Sequence, residues 1–104
     1  MGYHLRKIDK GILGEWSKVE EELAEFKDAK AQDSKILMAV KLADLHKALS
    51  EFKYYHGGKP SSVLQIYNME KFILEEAGKL GLSLYDLIVF SSITARAFKD
   101  CTRG

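Results

Sequence analysis

Apolar residues return at steps of three and four positions along most of this chain, which is the spacing of one face of an α-helix. Alternating apolar and polar residues, the pattern of a half-buried strand, are scarce, and the only proline is Pro60. A chain of 104 residues has room for one domain. Because hydrophobic residues make up 46% and charged residues 30%, the composition is that of a folded globular protein. We therefore predict a single all-α domain over residues 1–104.

The changes in periodicity predict a bundle of four helices behind an N-terminal arm. The predicted elements are the arm at 1–14, helices at 15–30, 35–54, 61–80 and 84–99, and a frayed tail at 100–104. The short polar break between the first two helices predicts an antiparallel hairpin. The predicted caps are Ser17 with Glu20, Asp33 or Ser34, Ser61 or Ser62, Ser83 with Asp86, and a left-handed Gly81 at the end of the third helix.

The last two helices carry more apolar surface than one buried face requires. Beyond the inward stripe, Ile66 and Met69 form a second stripe on the third helix, and Tyr85, Val89 and Phe90 form one on the fourth. A small monomer has difficulty covering both stripes. We therefore expect a homo-oligomer, either a dimer or a tetramer.

Charge and cysteine content exclude several classes of protein. The net charge of +1 indicates no nucleic-acid-binding tail, so no specific nucleic acid is expected as a partner. A single cysteine, Cys101, cannot form an intrachain disulfide. The longest purely apolar run, Ile36–Val40, is far short of the roughly 20 residues that span a bilayer. We expect a cytoplasmic protein with no membrane partner.

The first predicted helix is strongly acidic. Between Glu15 and Lys30 there are six acidic and three basic residues. Glu22 and Glu25, and then Glu25 and Asp28, lie one turn apart, where like charges repel. Two interpretations remain open: a solvated helix face with partial relief from its lysines, or a site for a cation such as Mg²⁺, which takes carboxylate oxygens.

Asp44 favours the second interpretation. It lies in an otherwise apolar stretch of the second helix, where a carboxylate is costly unless it is paired or bound to a metal. In an antiparallel hairpin Asp44 can face Glu22 and Glu25. The three carboxylates would then surround one point, with room left for phosphate oxygens.

These residues resemble the MazG-like all-α nucleoside triphosphate pyrophosphohydrolases. That family carries an E-x-x-E motif followed by E-x-x-D, and here Glu22 and Glu25 are followed by Asp44. The segments Leu84–Leu87 and Thr94–Phe98 are similar to small members of the family from bacteriophages. The resemblance implies hydrolysis of a (d)NTP to the monophosphate and pyrophosphate, in the host cytoplasm if the protein is phage-encoded. It also implies catalytic Mg²⁺, or Mn²⁺, held by Glu22, Glu25 and Asp44.

One position departs from the family pattern. Lys41 stands where the second motif has its glutamate, and a lysine donates hydrogen bonds and repels a cation. Three outcomes are open. Asp28 or Glu21 completes the metal site; Lys41 binds a phosphate directly; or the protein binds nucleotides or a partner protein without turnover.

Further candidates for nucleotide contacts come from residue type alone. Arg96 and Lys99 lie one turn apart near the C-terminus and are candidates for binding phosphate. Trp16 and Tyr54 are candidates for stacking on a base, although aromatic residues at such positions more often pack in the core.

Overall fold

The computed structural model describes the backbone of residues 7–103 and the side chains of residues 7–93. Within that part of the chain there are four helices and no strand, which confirms the all-α prediction. The helices are α1 (Trp16–Ala31), α2 (Lys35–His56), α3 (Pro60–Leu80) and α4 (Leu84–Arg103). The last helix continues past its predicted end at Lys99, so residues 100–103 are helical where a frayed tail was predicted.

The second helix is the centre of the bundle. Among the described residues α1, α3 and α4 all pack against α2, and the contact between α1 and α2 is the most extensive. The start of α1 meets the end of α2, where the rings of Trp16 and Phe52 lie 5.0 Å apart. Further along, Glu25 of α1 meets Lys41 of α2. The predicted antiparallel hairpin is therefore confirmed.

The core lies where the other helices meet α2. Its largest fully buried side chains are Val19, Phe26, Leu42, Leu45, Leu49, Ile73 and Leu87. Several apolar residues that follow the helical spacing are nevertheless exposed: Ile36, Leu64, Tyr67, Leu84, Ile88 and Ile93. Helices α3 and α4 pack on α2 more than on each other, so many apolar residues of α3 and of the described part of α4 stay uncovered. Ile66, assigned to the second stripe of α3, is buried.

Two of the predicted N-terminal caps are present. The Ser34 hydroxyl accepts a hydrogen bond from the Leu37 N–H at 3.3 Å. Ser83 and Asp86 form a reciprocal capping box, with Ser83 N–H donating to Asp86 Oδ2 at 2.9 Å and Asp86 N–H donating to Ser83 Oγ at 3.1 Å. Gly81 ends α3 with φ of 74°, the left-handed conformation predicted for it.

The other two predicted caps are wrong. Ser17 lies inside α1, and its hydroxyl accepts a hydrogen bond from the Ile12 N–H at 2.9 Å instead of capping the helix. Helix α3 begins at Pro60, ahead of both Ser61 and Ser62. Proline at the first helical position has no N–H to satisfy and has its φ already set, so it starts the helix without a side-chain cap.

None of the described helices has both the length and the unbroken apolar character needed to cross a bilayer.

Candidate metal and nucleotide site between α1 and α2

Three glutamates of α1 form a compact group on the face turned toward α2. One carboxylate oxygen from each of Glu21, Glu22 and Glu25 lies within 4.8 Å of the others. Spacings of three and four residues place Glu25 one turn beyond both neighbours, which explains the grouping. Glu21 and Glu22 are buried, and the side chain of Glu25 is 13% exposed. Glu22 and Glu25 are the predicted pair, and Glu21 was one of the two alternatives for completing it.

Two lysines pair with this acidic group. Lys18 Nζ lies 3.1 Å from Glu21 Oε1 and 3.0 Å from Glu22 Oε2. Lys41 Nζ, from α2, lies 2.8 Å from Glu25 Oε1. Burial acts to lower the pKa of Lys18, but the hydrogen bonds to Glu22 and Glu21 outweigh it and raise that pKa. The Lys18 ammonium group therefore remains charged at neutral pH and offsets part of the negative charge.

Glu22 keeps an oxygen with no partner. Its Oε1 atom is buried and accepts no hydrogen bond from any described residue. Burial raises the pKa of Glu22 to about 6, with the charges of Glu25 and Asp44 adding to the rise and Lys18 opposing it. A buried, unpartnered carboxylate oxygen is costly, so this atom is a place where a proton or a metal ion would be stabilising.

Glu21 also binds the N-terminal arm. The Gly11 N–H donates a 2.8 Å hydrogen bond to Glu21 Oε1. Although burial opposes it, this bond and the one from Lys18 lower the pKa of Glu21. Gly11 also packs closely on α1, where a Cβ atom would lie 2.2 Å from the carbonyl oxygen of Ser17. Glu21 therefore remains ionised but is committed to the arm through one of its two oxygens.

Asp44 lies near the acidic group without belonging to it. Its carboxylate is half-buried on α2 and is not among the three that meet within 4.8 Å. Burial raises the pKa of Asp44, Lys41 acts to lower it, and Glu25 acts to raise it. Asp44 therefore lies close enough to Glu22 and Glu25 for their charges to act on one another. The compact group nevertheless has Glu21, and not Asp44, as its third carboxylate.

The remaining predicted site residues lie apart from this group. Asp28 is buried but accepts a hydrogen bond from Gln32 Nε2 at 2.9 Å, and it does not join the compact group. Trp16 is half-buried and packs edge-on against Phe52. Tyr54 is 83% exposed at the end of α2. The side chains of Arg96 and Lys99, the predicted phosphate-binding pair, lie outside the described residues.

Lys18 is more closely tied to the acidic group than general charge relief on a solvated helix face requires. It forms ion pairs with two of the three glutamates. The signal was present in the sequence, because Lys18 precedes Glu21 by three residues and Glu22 by four, the spacings at which opposite charges pair on a helix.

Comparison of the chain with protein-family models, with curated proteins and with solved structures finds no match in any of the three.

Proposed function

We propose that this protein is a Mg²⁺-dependent nucleoside triphosphate pyrophosphohydrolase that converts a (d)NTP to the monophosphate and pyrophosphate. The resemblance to MazG-like enzymes suggests the reaction. The observation that carries the proposal is the unpartnered, buried Glu22 Oε1 within a group of three carboxylates. An acidic cluster alone is common on helices, and the buried Glu22 oxygen with no donor among the described residues supports a bound cation at this one.

The residues present fit a hard divalent cation. Glu21, Glu22 and Glu25 offer only carboxylate oxygens, the ligands that Mg²⁺ and Mn²⁺ prefer. Lys18 and Lys41 offset two of the charges, and Asp44 adds a fourth carboxylate nearby. The site therefore keeps net negative charge after its internal pairing. Mg²⁺ held there would polarise a phosphate and lower the pKa of a bound water.

The lysines offer positive charge that can bind the phosphates of the substrate. An ammonium group binds a phosphate as a point charge. Lys41 Nζ lies 2.8 Å from Glu25 Oε1, so its ammonium group would lie beside a phosphate bound at the cation. In this arrangement Glu21, Glu22 and Glu25 would hold the cation with Asp44 nearby, and Lys41 would neutralise phosphate charge.

Pyrophosphate release from a panel of NTPs and dNTPs, with Mg²⁺ or Mn²⁺, tests the proposal. We expect release that requires the metal and that Glu25→Gln abolishes. Glu75→Gln, an exposed glutamate of α3, is the matched control and should keep full activity. Circular dichroism establishes that both variants are folded. Undiminished turnover in folded Glu25→Gln protein would contradict the assignment.

The Lys41–Glu25 ion pair favours a second candidate, a protein on this scaffold that binds nucleotides, or docks on a partner protein, without turnover. The ammonium group of Lys41 stands where the family has a glutamate and already occupies one oxygen of Glu25. Lys41→Glu separates the two candidates. If the natural protein is inactive and Lys41→Glu hydrolyses NTPs, the binding protein is supported. Metal-dependent pyrophosphate release by the natural protein contradicts this second candidate.

The exposed apolar residues of α3 and α4 support self-association as part of this proposal. Val63, Leu64, Tyr67 and Leu74 are more than half exposed on α3, and Tyr85, Ile88 and Ile93 are on α4. A second copy of the chain would remove this surface from water. Sedimentation equilibrium should show a dimer or tetramer that Tyr67→Glu dissociates, and a monomer at all concentrations would contradict it.

A further inference from the structure

Along one face of α2, beyond the acidic group, the side chains change from charged to aromatic. Asp44, Lys47, Glu51 and Tyr54 follow one another at steps of three and four residues, which places them along one side of the helix. From Asp44 to Tyr54 the helix rises about 15 Å at roughly 1.5 Å per residue. An extended nucleoside triphosphate has a comparable length.

This face ends in a cavity of about 340 Å³ between the arm and the end of α2. Its lining residues are Leu13, Lys47, Ser50, Glu51, Tyr54 and Tyr55. The volume lies within the range of small-molecule sites, roughly 300–1,000 Å³. Gly14, with φ of 83°, lets the arm pass so close to Tyr55 that a Cβ atom there would lie 3.0 Å from the ring. The arm thereby places Leu13 at the cavity.

The chemistry of this face changes from charged to aromatic in a definite order. Lys47 lines the cavity and also acts on Asp44, where its charge lowers the pKa against the effect of burial. The half-buried Glu51 carboxylate comes next and can only accept hydrogen bonds when ionised. Tyr54 comes last and presents a ring that is 83% exposed. Cation, acceptor and aromatic ring match the phosphate, sugar and base of a nucleotide in the same order.

We propose that this cavity is the nucleoside subsite of a ribonucleoside triphosphate. Lys47 contacts the phosphate nearest the sugar, Glu51 accepts hydrogen bonds from the ribose hydroxyls, and the base stacks on Tyr54. The inference rests on the proposed function, because the acidic group must hold the remaining phosphates. It goes further by naming the sugar, since the ribose 2′-hydroxyl is a donor that a deoxynucleotide lacks.

Binding of α,β-methylene ATP and of its 2′-deoxy counterpart, measured by calorimetry with Mg²⁺, tests the subsite without hydrolysis. We expect the 2′-deoxy compound to bind about tenfold more weakly, which is the effect of losing one hydrogen bond to a charged acceptor. Glu51→Ala should make the two affinities equal, whereas Glu75→Ala, exposed on α3, should preserve the difference.

The aromatic contact has its own pair of variants. Tyr54→Ala should weaken both compounds about tenfold, which is the scale of one base stacked on one ring. Ile36→Ala removes a side chain that is 79% exposed at the opposite end of α2 and should leave both affinities unchanged.

The outcomes separate this inference from the proposed function. Equal binding of both compounds, unaltered by Glu51→Ala and Tyr54→Ala, overturns the subsite even if pyrophosphate release depends on Glu25. Ribose-selective binding that Glu51→Ala removes, with no pyrophosphate release from any NTP, supports the subsite and rejects the hydrolase. Absence of binding by both compounds overturns the subsite.

Discussion

Lys41 Nζ of α2 lies 2.8 Å from Glu25 Oε1 of α1, and both side chains are close to nine-tenths buried. The acidic face of the first helix is therefore partly neutralised from across the hairpin, by a residue sixteen positions further along the chain. A buried ion pair contributes little net stability when compared with apolar residues, but breaking one leaves a buried charge uncompensated. The pair therefore links the stability of the hairpin to the charge of the candidate site.

Removing the charge of Lys41 tests that link. We expect Lys41→Met to lower the free energy of unfolding by about 3 kcal/mol, because Glu25 is left without its partner. The exposed Lys53–Glu70 pair supplies the control, and Lys53→Met should cost about 1 kcal/mol or less. Urea denaturation measures both values. Equal losses in the two variants would show that the Lys41 pair behaves as a surface pair.

The same variant should strengthen metal binding. Without the Lys41 ammonium group, Glu25 is free of its competing cation, and Coulomb repulsion of a divalent ion is reduced. We expect Lys41→Met to bind Mn²⁺ alone more tightly than the natural protein by about tenfold or more. Titration calorimetry, with Lys53→Met beside it, measures the change, and weaker Mn²⁺ binding would contradict the assigned site.

The raised pKa of Glu22 predicts a specific pH dependence of stability. The folded-state pKa is about 6 against an ordinary value of 4.5, so the folded protein binds this proton more tightly than the unfolded chain. The resulting stabilisation is fully present below pH 4.5 and is lost as pH rises through 6. The loss amounts to about 2 kcal/mol.

Comparison with Glu22→Gln isolates that contribution. The amide does not titrate, so the free energy of unfolding of the natural protein should fall relative to the variant between pH 4.5 and pH 7. Glu21 and Glu76, whose pKa values are lowered, favour the opposite trend but are present in both proteins. Urea denaturation at several pH values measures the difference, and a constant difference would contradict the raised pKa.

Metal binding should respond to the same proton. A cation needs the ionised form of Glu22, so Mn²⁺ affinity should fall as pH decreases below about 6. At a free Mn²⁺ concentration about 100 times the dissociation constant, the metal should also add about 2.7 kcal/mol to the free energy of unfolding. Thermal denaturation with and without Mn²⁺ measures this, and Glu22→Gln should show little of the effect.

Gly11 tests the contact between the arm and α1, and Gly78 of α3 serves as its control. Gly11→Ala places a Cβ atom 2.2 Å from the Ser17 carbonyl oxygen, so the arm must move and the Gly11–Glu21 hydrogen bond is lost. We expect a loss of about 1–3 kcal/mol. Gly78 lies inside α3 with open space around it, so Gly78→Ala should instead raise the free energy of unfolding by about 1 kcal/mol. Hydrogen exchange at residues 11 and 12 reports the arm directly, and unchanged protection in Gly11→Ala would contradict the close contact.

The helices and their hairpin follow from local properties of the sequence. Ser34, Gly81 and the Ser83–Asp86 pair mark boundaries because their side chains or backbone conformations act within a few residues. A local capping pattern does not predict a helix start when the capping side chain has another hydrogen-bond partner. Ser17 has the spacing of a cap, but its hydroxyl bonds the Ile12 N–H of the arm instead.

Tertiary packing decided which residues form the site and which apolar faces stay exposed. Periodicity identifies an apolar face of a helix but not the neighbour that covers it. Leu64 and Tyr67 follow the apolar spacing of α3 and are exposed, whereas Ile66 and Ile73 of the same helix are buried. The sequence alone determined that carboxylates gather on one face of α1. The register of α2 against α1 decided that Lys41 meets Glu25, because an ion pair depends on which turns of two helices lie side by side.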